Sequence, residues 1–109
     1  MPDAIIVFTT APNEEEARSL AGLIVERRLA ACVQVLPKMT SVYVWEGAVQ
    51  TDAEHLLLIK TLDEKFDELA EFIRANHSYQ VPEIAAVRAS SMSVAYREWI
   101  GEVLASDET

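Results

Sequence analysis

Apolar and polar positions alternate in blocks along the chain, and these blocks predict strands and helices in a definite order. Short apolar runs rich in β-branched residues are typical of buried strands. Such runs cover residues 4–10, 31–36, 41–45, 49–60 and 83–89. Pro37 separates the second run from the third, so residues 31–45 are expected to form one strand arm with a kink or bulge at the proline.

Between the strands, apolar residues recur at the spacing of a helix face. Each of three helical segments begins at a residue type that caps helices, and the first two carry a glutamate three positions later. The predicted starts are Asn13 with Glu16, Thr61 with Glu64, and Ser93. The second helix is expected to end at Asn76, a residue that tolerates the left-handed conformation. The predicted inner face of the third helix is Tyr96, Trp99, Ile100 and Val103.

The predicted order of elements is βαββαβ followed by an additional C-terminal helix. The first six elements are those of the ferredoxin-like split βαβ unit, in which two helices cover one face of a four-stranded antiparallel sheet. A chain of 109 residues has the size of one domain. The sequence therefore predicts a single α+β, ferredoxin-like sandwich over residues 1–109, a fold that hosts many unrelated functions.

The second and third predicted strands form a hairpin that is long for this domain. An unbroken strand over residues 31–45 spans about 50 Å at ~3.3 Å per residue, whereas a compact domain of this length is roughly 34 Å across. The tip, which turns at Trp45, Glu46, Gly47 and Ala48, should project from the globule. Exposed aromatic and β-branched residues on such a ribbon favour association. Since the sheet also has a second face to cover, we expect an oligomer.

Composition narrows the classes of partner. Acidic residues outnumber basic ones and give a net charge of −9, which disfavours nucleic acid. No apolar run approaches the ~20 residues of a membrane span, and the first residues lack the basic segment of a signal peptide. The single cysteine, Cys32, is expected to be a small buried thiol in a reducing cytoplasm. The acidic tail, residues 106–109, is expected to fray.

Four separated motifs carry a resemblance to a known family. They are LAACVQVLP, SVYVWEG, LLLIKT and HSYQVPEI, in this order. With them the chain resembles the CutA family, the divalent-cation tolerance proteins, from about Ile5 to Leu104. The resemblance implies a homotrimer built through the long hairpins, a cytoplasmic location in bacteria and a link to copper and other divalent metals. It also implies an architecture similar to the trimeric PII signalling proteins, which bind small effectors between subunits.

The resemblance also indicates three positions for a copper site, which a bacterial member fills with a cysteine and two adjacent histidines. These positions match Thr9, Asn76 and His77 here. Because a hydroxyl and an amide are weak ligands for Cu(II), only His77 keeps a suitable donor. We expect no required cofactor, and modest binding of Cu(II) or another divalent cation through His77 with Glu83. The alternative for His77 is a structural contact with the free carbonyls of a helix end.

The stretch ANHSYQVPEI, residues 75–84, contains more kinds of side chain that can bind a ligand or take part in a reaction than any other part of the chain. It leaves a helix end and enters an outer strand, whose unpaired edge groups need a cover. In a trimer the neighbour's ribbon supplies that cover and brings its Tyr43, Trp45 and Glu46 towards this loop. We therefore predict three inter-subunit clefts for a divalent ion or a small anionic ligand. Their predicted lining is His77, Tyr79, Gln80 and Glu83, with Lys60 and Trp45 at the edges.

The sequence lacks the arrangements typical of catalysis. It contains no glycine-rich phosphate loop, no HExxH and no CxxC motif, and no serine, histidine and aspartate in the order of a known triad. The predicted function is therefore binding, by a trimeric cytoplasmic protein of divalent metal tolerance or homeostasis. The alternative is a PII-like small-molecule sensor or scaffold protein that contacts metal only incidentally.

Overall fold

The structure is a computed structural model that describes residues 3–105. Its elements are β1 (Ala4–Ala11), α1 (Glu14–Glu26), β2 (Cys32–Val35), β3 (Met39–Trp45), β4 (Ala48–Leu62), α2 (Phe66–Asn76), β5 (Ala85–Arg88) and α3 (Val94–Ala105). The strands form an antiparallel sheet in the order β2–β4–β1–β5, and β3 pairs with β4 beyond β2. The predicted α+β, ferredoxin-like fold with an added C-terminal helix is confirmed. The acidic tail of the prediction, residues 106–109, lies outside the described residues.

Helices α1 and α2 cover one face of the sheet. Because side chains alternate along a strand, every second residue of β1 and β4 points to this face. The buried cluster here consists of Ile5, Val7, Ala11, Ala17, Leu20, Ile24, Leu29, Ala30, Leu57, Ile59, Leu69 and Ile73. Fully burying one large aliphatic side chain contributes about 1.5–3 kcal/mol. This covered face is therefore the main source of the protomer's stability.

The opposite face of the sheet, the open face, is covered within residues 3–105 at one end, by α3. There Ile100 is fully buried in a small cluster with Ala4, Ala31 and Leu62. Other apolar side chains on this face are half-buried or exposed, namely Ile6, Phe8, Leu56, Leu58 and Val87. The expectation that Trp99 is an inner residue of α3 is wrong, since Ile100 makes the sheet contact and Trp99 is 41% exposed. No helix within residues 3–105 is both long and apolar enough to cross a membrane.

The long hairpin has the predicted break. Strand β4 has 15 residues and pairs with β3 along its first half and with β2 along its second half. The two short strands are separated by residues 36–38, which include Pro37, and His55 Nδ1 donates to the carbonyl oxygen of Leu36 there, at 3.1 Å. At the tip, Glu46 and Gly47 have φ angles of 51° and 79°, the signs that a tight type I′ turn requires. The molecule measures 44 × 32 × 24 Å, so it is longer than a compact domain, as predicted.

Two of the three predicted helix starts are confirmed. Asn13 accepts a hydrogen bond from the Glu16 amide at 2.8 Å, and Ser93 Oγ accepts one from the Tyr96 amide at 3.3 Å. The predicted capping role of Thr61 is wrong. Its side chain is fully buried in β4 and its hydroxyl donates to Leu29 O at 2.8 Å. The chain then enters α2 through a short 3₁₀ turn over Asp63–Lys65.

The helix ends differ from the prediction. Asn76 does end α2, but no left-handed residue follows, because His77 is extended with φ −103° and ψ 146°. The left-handed conformation occurs after α1 instead, at Arg28, whose φ is 56°. There the Leu29 amide donates to Ile24 O at 3.1 Å, a bond typical of a Schellman ending. Leu29 thereby reaches the buried core although the helix has already ended.

Candidate functional site

A cleft of about 620 Å³ lies where the hairpin, the end of β1 and the loop after α2 meet. Strand β3 forms one wall, residues 78–83 form the other, and β1 and β4 contribute one residue each. The lining residues are Thr10, Ser41, Val42, Tyr43, Trp45, Glu54, Ser78, Tyr79, Gln80, Val81 and Glu83. Small-molecule sites commonly have roughly 300–1,000 Å³ and combine apolar walls with a few convergent polar groups. This cleft has both properties.

Glu54 is the buried polar centre of the cleft, with 7% of its surface exposed. Its Oε2 accepts hydrogen bonds from the Tyr79 hydroxyl at 2.7 Å and from the Thr10 hydroxyl at 3.1 Å. A carboxyl oxygen has two lone pairs and can accept both donors at once. Among residues 3–105, no lysine, arginine or histidine forms a salt bridge with Glu54. The cleft therefore contains a buried carboxylate whose hydrogen-bond partners are neutral hydroxyls.

Two tyrosines of the cleft are hydrogen-bond donors to carboxylates. Burial, together with the hydrogen bond to Glu54, raises the pKa of Tyr79 above its ordinary value. The Tyr43 hydroxyl donates to Asp52 Oδ2, and this hydrogen bond raises the pKa of Tyr43. Both phenols stay protonated at neutral pH. The lining thus offers aromatic rings and carboxylates.

His77 fastens the loop of the cleft to the sheet. Its side chain is fully buried, and Nε2 lies 2.5 Å from the Thr10 carbonyl oxygen while Nδ1 lies 3.0 Å from the Tyr79 amide. A carbonyl only accepts and an amide only donates, so Nε2 carries the proton and Nδ1 accepts. The two rings of His77 and Tyr79 lie 4.8 Å apart. This geometry sets the position from which Tyr79 reaches Glu54.

A second set of hydrogen bonds connects the same loop to α1. Glu16 Oε2 accepts hydrogen bonds from the Ser78 amide at 3.1 Å and from the Ser78 hydroxyl at 2.9 Å. The same oxygen lies 3.6 Å from His77 Nδ1. The Glu16 side chain therefore makes a tertiary contact with the loop. The sequence predicted instead that it completes a capping box with Asn13. The loop is held from both sides before any ligand binds.

The structure brings four of the predicted cleft residues together: Trp45, Tyr79, Gln80 and Glu83 line the cleft. Glu46 lies in the exposed turn at the hairpin tip, and Lys60 Nζ donates to Gln34 Oε1 at 2.7 Å across the open face. His77 lies behind the loop as its anchor. The aromatic wall comes from the protomer's own β3, whereas the sequence analysis assigned it to a neighbouring subunit. That a second subunit contributes residues to the cleft stays a prediction.

The structure shows what each of the three family positions for copper does here. Thr9 is fully buried on the covered face, Asn76 Nδ2 donates to Phe72 O at 2.9 Å, and both nitrogens of His77 are engaged. The described part of the chain contains no group of three or more histidine, cysteine or carboxylate side chains placed to hold a metal ion. Cys32, expected to be buried, is half-buried, since β2 lies at a sheet edge and the alternation turns its side chain to the open face.

Among the cleft residues that were not predicted, Thr10 and Glu54 form the buried polar centre. Glu54 precedes the apolar run of β4, and a carboxylate beside a buried strand needs a partner, so a signal existed. Thr10 carried no such signal, because it is one of two adjacent threonines and only the direction of the strand decides which of them meets Glu54.

The fold and the cleft define a ferredoxin-like domain with a ligand-sized cleft at the base of a projecting hairpin. A family model described as CutA1 divalent ion tolerance protein matches residues 5–103. The chain belongs to this family, and the resemblance that the four motifs carry is confirmed.

Individual relatives agree. The protein named CutA 1, chloroplastic, of Oryza sativa is 48% identical over 97 residues, which cover 89% of this chain and 55% of that relative. The divalent-cation tolerance protein CutA of Thermus thermophilus is 45% identical over 97 residues, covering 89% of this chain and 94% of that relative. The crystal structure of CutA1 from Oryza sativa superposes with a TM-score of 0.91 at 44% identity, covering 99% of this chain and 97% of that one. The chain thus spans about half the length of the rice relative and nearly all of the Thermus one.

Proposed function

We propose that this protein is a homotrimeric, cytoplasmic binding protein of divalent-cation tolerance that catalyses no reaction. The observation that carries the proposal is the match of residues 5–103 to the family of divalent ion tolerance proteins. The relative from Thermus thermophilus, which aligns over 94% of its length, is named for the same role. A net charge of −9 supports the proposal, since a negative field raises the local concentration of cations.

Two surfaces support the homotrimer. The open face keeps a row of half-buried apolar side chains, and the hairpin tip exposes Val42, Val44 and Val49 by 66%, 69% and 71%. Contiguous exposed apolar surface of this kind is typical of interfaces between proteins. A closed ring of three copies covers the hairpin of each protomer with the sheet edge of the next and leaves no surface for further growth.

Sedimentation equilibrium tests the trimer. We expect three times the chain mass at micromolar concentration, and dissociation when Val44→Glu places a charge on the hairpin tip. Val94→Glu is the matched control, because Val94 is equally exposed, at 72%, but begins α3. A stable monomer of the unaltered chain contradicts the proposal, and equal dissociation of both variants contradicts the role of the hairpin.

For the metal, we propose that Cu(II) or another divalent cation contacts Glu83 at the rim of the cleft, with modest affinity. Glu83 lines the cleft and is exposed, whereas His77 must release the Tyr79 amide or the Thr10 carbonyl before it can ligate. The carboxylate alone is a weak ligand for Cu(II) beside thiolate or imidazole. Of the two predicted metal ligands, His77 and Glu83, we therefore propose only the exposed residue, Glu83.

Calorimetric titration with Cu(II) tests this assignment. We expect Glu83→Gln to weaken binding several-fold and Glu46→Gln, a charge-matched change in the exposed hairpin turn, to leave it within about two-fold. If His77→Ala abolishes binding while Glu83→Gln leaves it unchanged, the ligand is the imidazole and the assignment to Glu83 fails.

The cleft favours a second candidate function, a PII-like small-molecule sensor or scaffold with only incidental metal contact. The observation that favours this candidate is the size and lining of the cleft. It has a volume of about 620 Å³ and aromatic walls around a buried carboxylate, which is more room than a metal ion needs. Thermal unfolding separates the two candidates, because a ligand that binds the folded state raises its stability. Cu(II) at concentrations above its calorimetric Kd should raise the unfolding midpoint of a metal-tolerance protein and leave that of a small-molecule sensor unchanged.

A further inference from the structure

We propose that the cleft binds a small organic cation, an ammonium group that carries apolar substituents. The inference rests on the second candidate function, that the cleft holds a small molecule, and adds the chemical class of that molecule. The occupant is identified by three features of the lining: its charge, its aromatic rings and the free oxygen of its buried carboxylate.

The charge of the cleft requires a positive partner. Glu54 and Glu83 line it, and no lysine or arginine belongs to the lining. Asp52 lies close enough to affect the ionisation of Tyr79 and adds to the negative field. Lys60, the basic group that the sequence analysis placed at this edge, is bonded to Gln34. A small anionic ligand, the partner considered from the sequence, would therefore meet repulsion.

Glu54 has an oxygen to offer a ligand. The residue is more than nine-tenths buried and lines the cleft, and both of its hydrogen bonds use Oε2. Within the described chain, Oε1 has no hydrogen-bond partner. A buried charge without an opposite charge is costly, because the attraction that offsets its desolvation is missing. A cation seated beside Oε1 would supply that attraction.

The aromatic walls favour an organic cation over a metal ion. Tyr43, Trp45 and Tyr79 line the cleft, and the faces of such rings attract ammonium groups within about 6 Å. Divalent metal ions instead require several oxygen, nitrogen or sulfur ligands at short distance. Residues 3–105 bring no three histidine, cysteine or carboxylate side chains together for a metal ion. Glu83 at the rim gives a metal a weak contact, whereas the interior matches a weakly hydrated ammonium group.

Two probes of nearly equal shape test the charge requirement on the full chain. Tetramethylammonium carries the charge, and tert-butanol is its uncharged counterpart. Saturation-transfer NMR and the shift of the Trp45 indole N–H report binding. We expect tetramethylammonium to bind at least ten-fold more tightly than tert-butanol, and its affinity to fall as salt is added, since ions screen the attraction.

Variants locate the site. Glu54→Gln keeps an oxygen that accepts from Tyr79 and Thr10 but removes the charge, so we expect at least a ten-fold loss of tetramethylammonium affinity. Glu83→Gln, on the exposed rim, should lose two- to five-fold and cannot fail through misfolding of the core. Glu46→Gln is the control of equal charge outside the cleft and should change affinity by less than two-fold. Unfolding midpoints and sedimentation verify that each variant keeps its fold and assembly.

The outcomes separate the inference from the function on which it rests. Preferential binding of the cation that depends on Glu54 supports the inference. Equal binding of the two probes overturns the ligand class while the cleft stays a small-molecule site. If neither probe binds or shifts Trp45, the inference fails, whereas the sensor function, the trimer and the family assignment are untouched. A loss of affinity in Glu46→Gln as large as in Glu54→Gln shows a diffuse charge effect and overturns the site.

Discussion

The two faces of the sheet differ in what their side chains do. On the covered face, apolar residues such as Leu57 and Ile59 are fully buried under two helices. On the open face, apolar residues such as Leu58 stay half-buried, and a polar network of Thr10, Glu54 and Tyr79 lies at its edge. The covered face stabilises the protomer. The open face and its cleft are the surfaces that we propose for partners and ligands.

The difference is sharpest at two adjacent threonines. Thr9 points to the covered face, is fully buried, and its hydroxyl has no hydrogen-bond partner among residues 3–105. Thr10 points to the other face, and its hydroxyl donates to Glu54. The same residue type is therefore a weakness of the core at one position and part of the candidate site at the next. The type of a residue alone therefore does not determine its role in the structure.

The largest effect is expected from a matched pair of leucines on β4. Leu57→Ala removes a fully buried side chain from the covered face and should lower the free energy of unfolding by about 2–5 kcal/mol. Leu58→Ala, on the open face, should cost less than half as much when both changes are made in the dissociated Val44→Glu variant. Urea denaturation at equal protein concentration measures both. Equal losses would show that the open face is as well packed as the covered one.

The histidine that joins the cleft loop to the sheet should give the next effect. His77→Ala leaves the Thr10 carbonyl and the Tyr79 amide without their partners, and each unpaired buried group costs about 1–3 kcal/mol. We expect a loss of about 2–3 kcal/mol, since water can reach part of the loop. Asn76→Ala, an exposed neighbour, is the control and should cost well under half of that. Wild-type stability in His77→Ala would mean that the loop is not fastened by this residue.

The adjacent threonines should respond with opposite signs. Thr9→Val removes an unpaired buried hydroxyl at nearly constant volume, and we expect a gain of about 1 kcal/mol. Thr10→Val removes a donor from Glu54 and should cost about 1 kcal/mol. Each variant serves as the control for the other in the same denaturation experiment. Two changes of the same sign would contradict the assignment of the two faces.

The smallest effect should appear at alkaline pH. The folded protein raises the pKa of Tyr79 above its unfolded value near ~10. Below that value both states keep the proton and the contribution to stability is constant. As the pH rises above it, the unfolded chain loses the proton first, so the free energy of unfolding falls. Urea titrations over this range should show a shallower fall for Tyr79→Phe.

Tyr43→Phe is the comparison for that experiment. The hydroxyl of Tyr43 also donates to a carboxylate, but the side chain is exposed and solvent screens the interaction. We expect a smaller change in slope than for Tyr79→Phe. An unaltered slope in Tyr79→Phe would indicate that its hydrogen bond to Glu54 does not persist in solution.

Much of the fold was predictable because local rules decided it. The alternation of the strands, the caps Asn13 and Ser93, the break at Pro37 and the turn at Glu46 and Gly47 follow from residue types and their spacing. Thr61 misled the prediction because a hydroxyl followed by a glutamate is a capping box only when the residue is outside a strand. Thr61 instead lies inside the long strand β4, and its hydroxyl donates to Leu29 O.

The candidate site was predictable in part. The segment around His77, Tyr79 and Glu83 was indicated by its density of functional groups, and five residues of that segment line the cleft. The role of His77 was open from the sequence, since an imidazole at a helix end serves equally as a ligand or as a structural donor. Its hydrogen bond to the Thr10 carbonyl depends on β1, which lies 67 positions away in the chain.

By itself, the sequence determined the order of elements, the long hairpin, the acidic charge and the family, because each depends on composition or on patterns a few residues long. Only the tertiary structure decided which threonine faces which side, that Lys60 bonds Gln34, and that Glu54 is the buried centre of the cleft. The physical reason is strand register. Pairing Thr10 with Leu56 and Ala11 with His55 fixes which side chains share a face, and a shift of one residue would exchange the two faces completely.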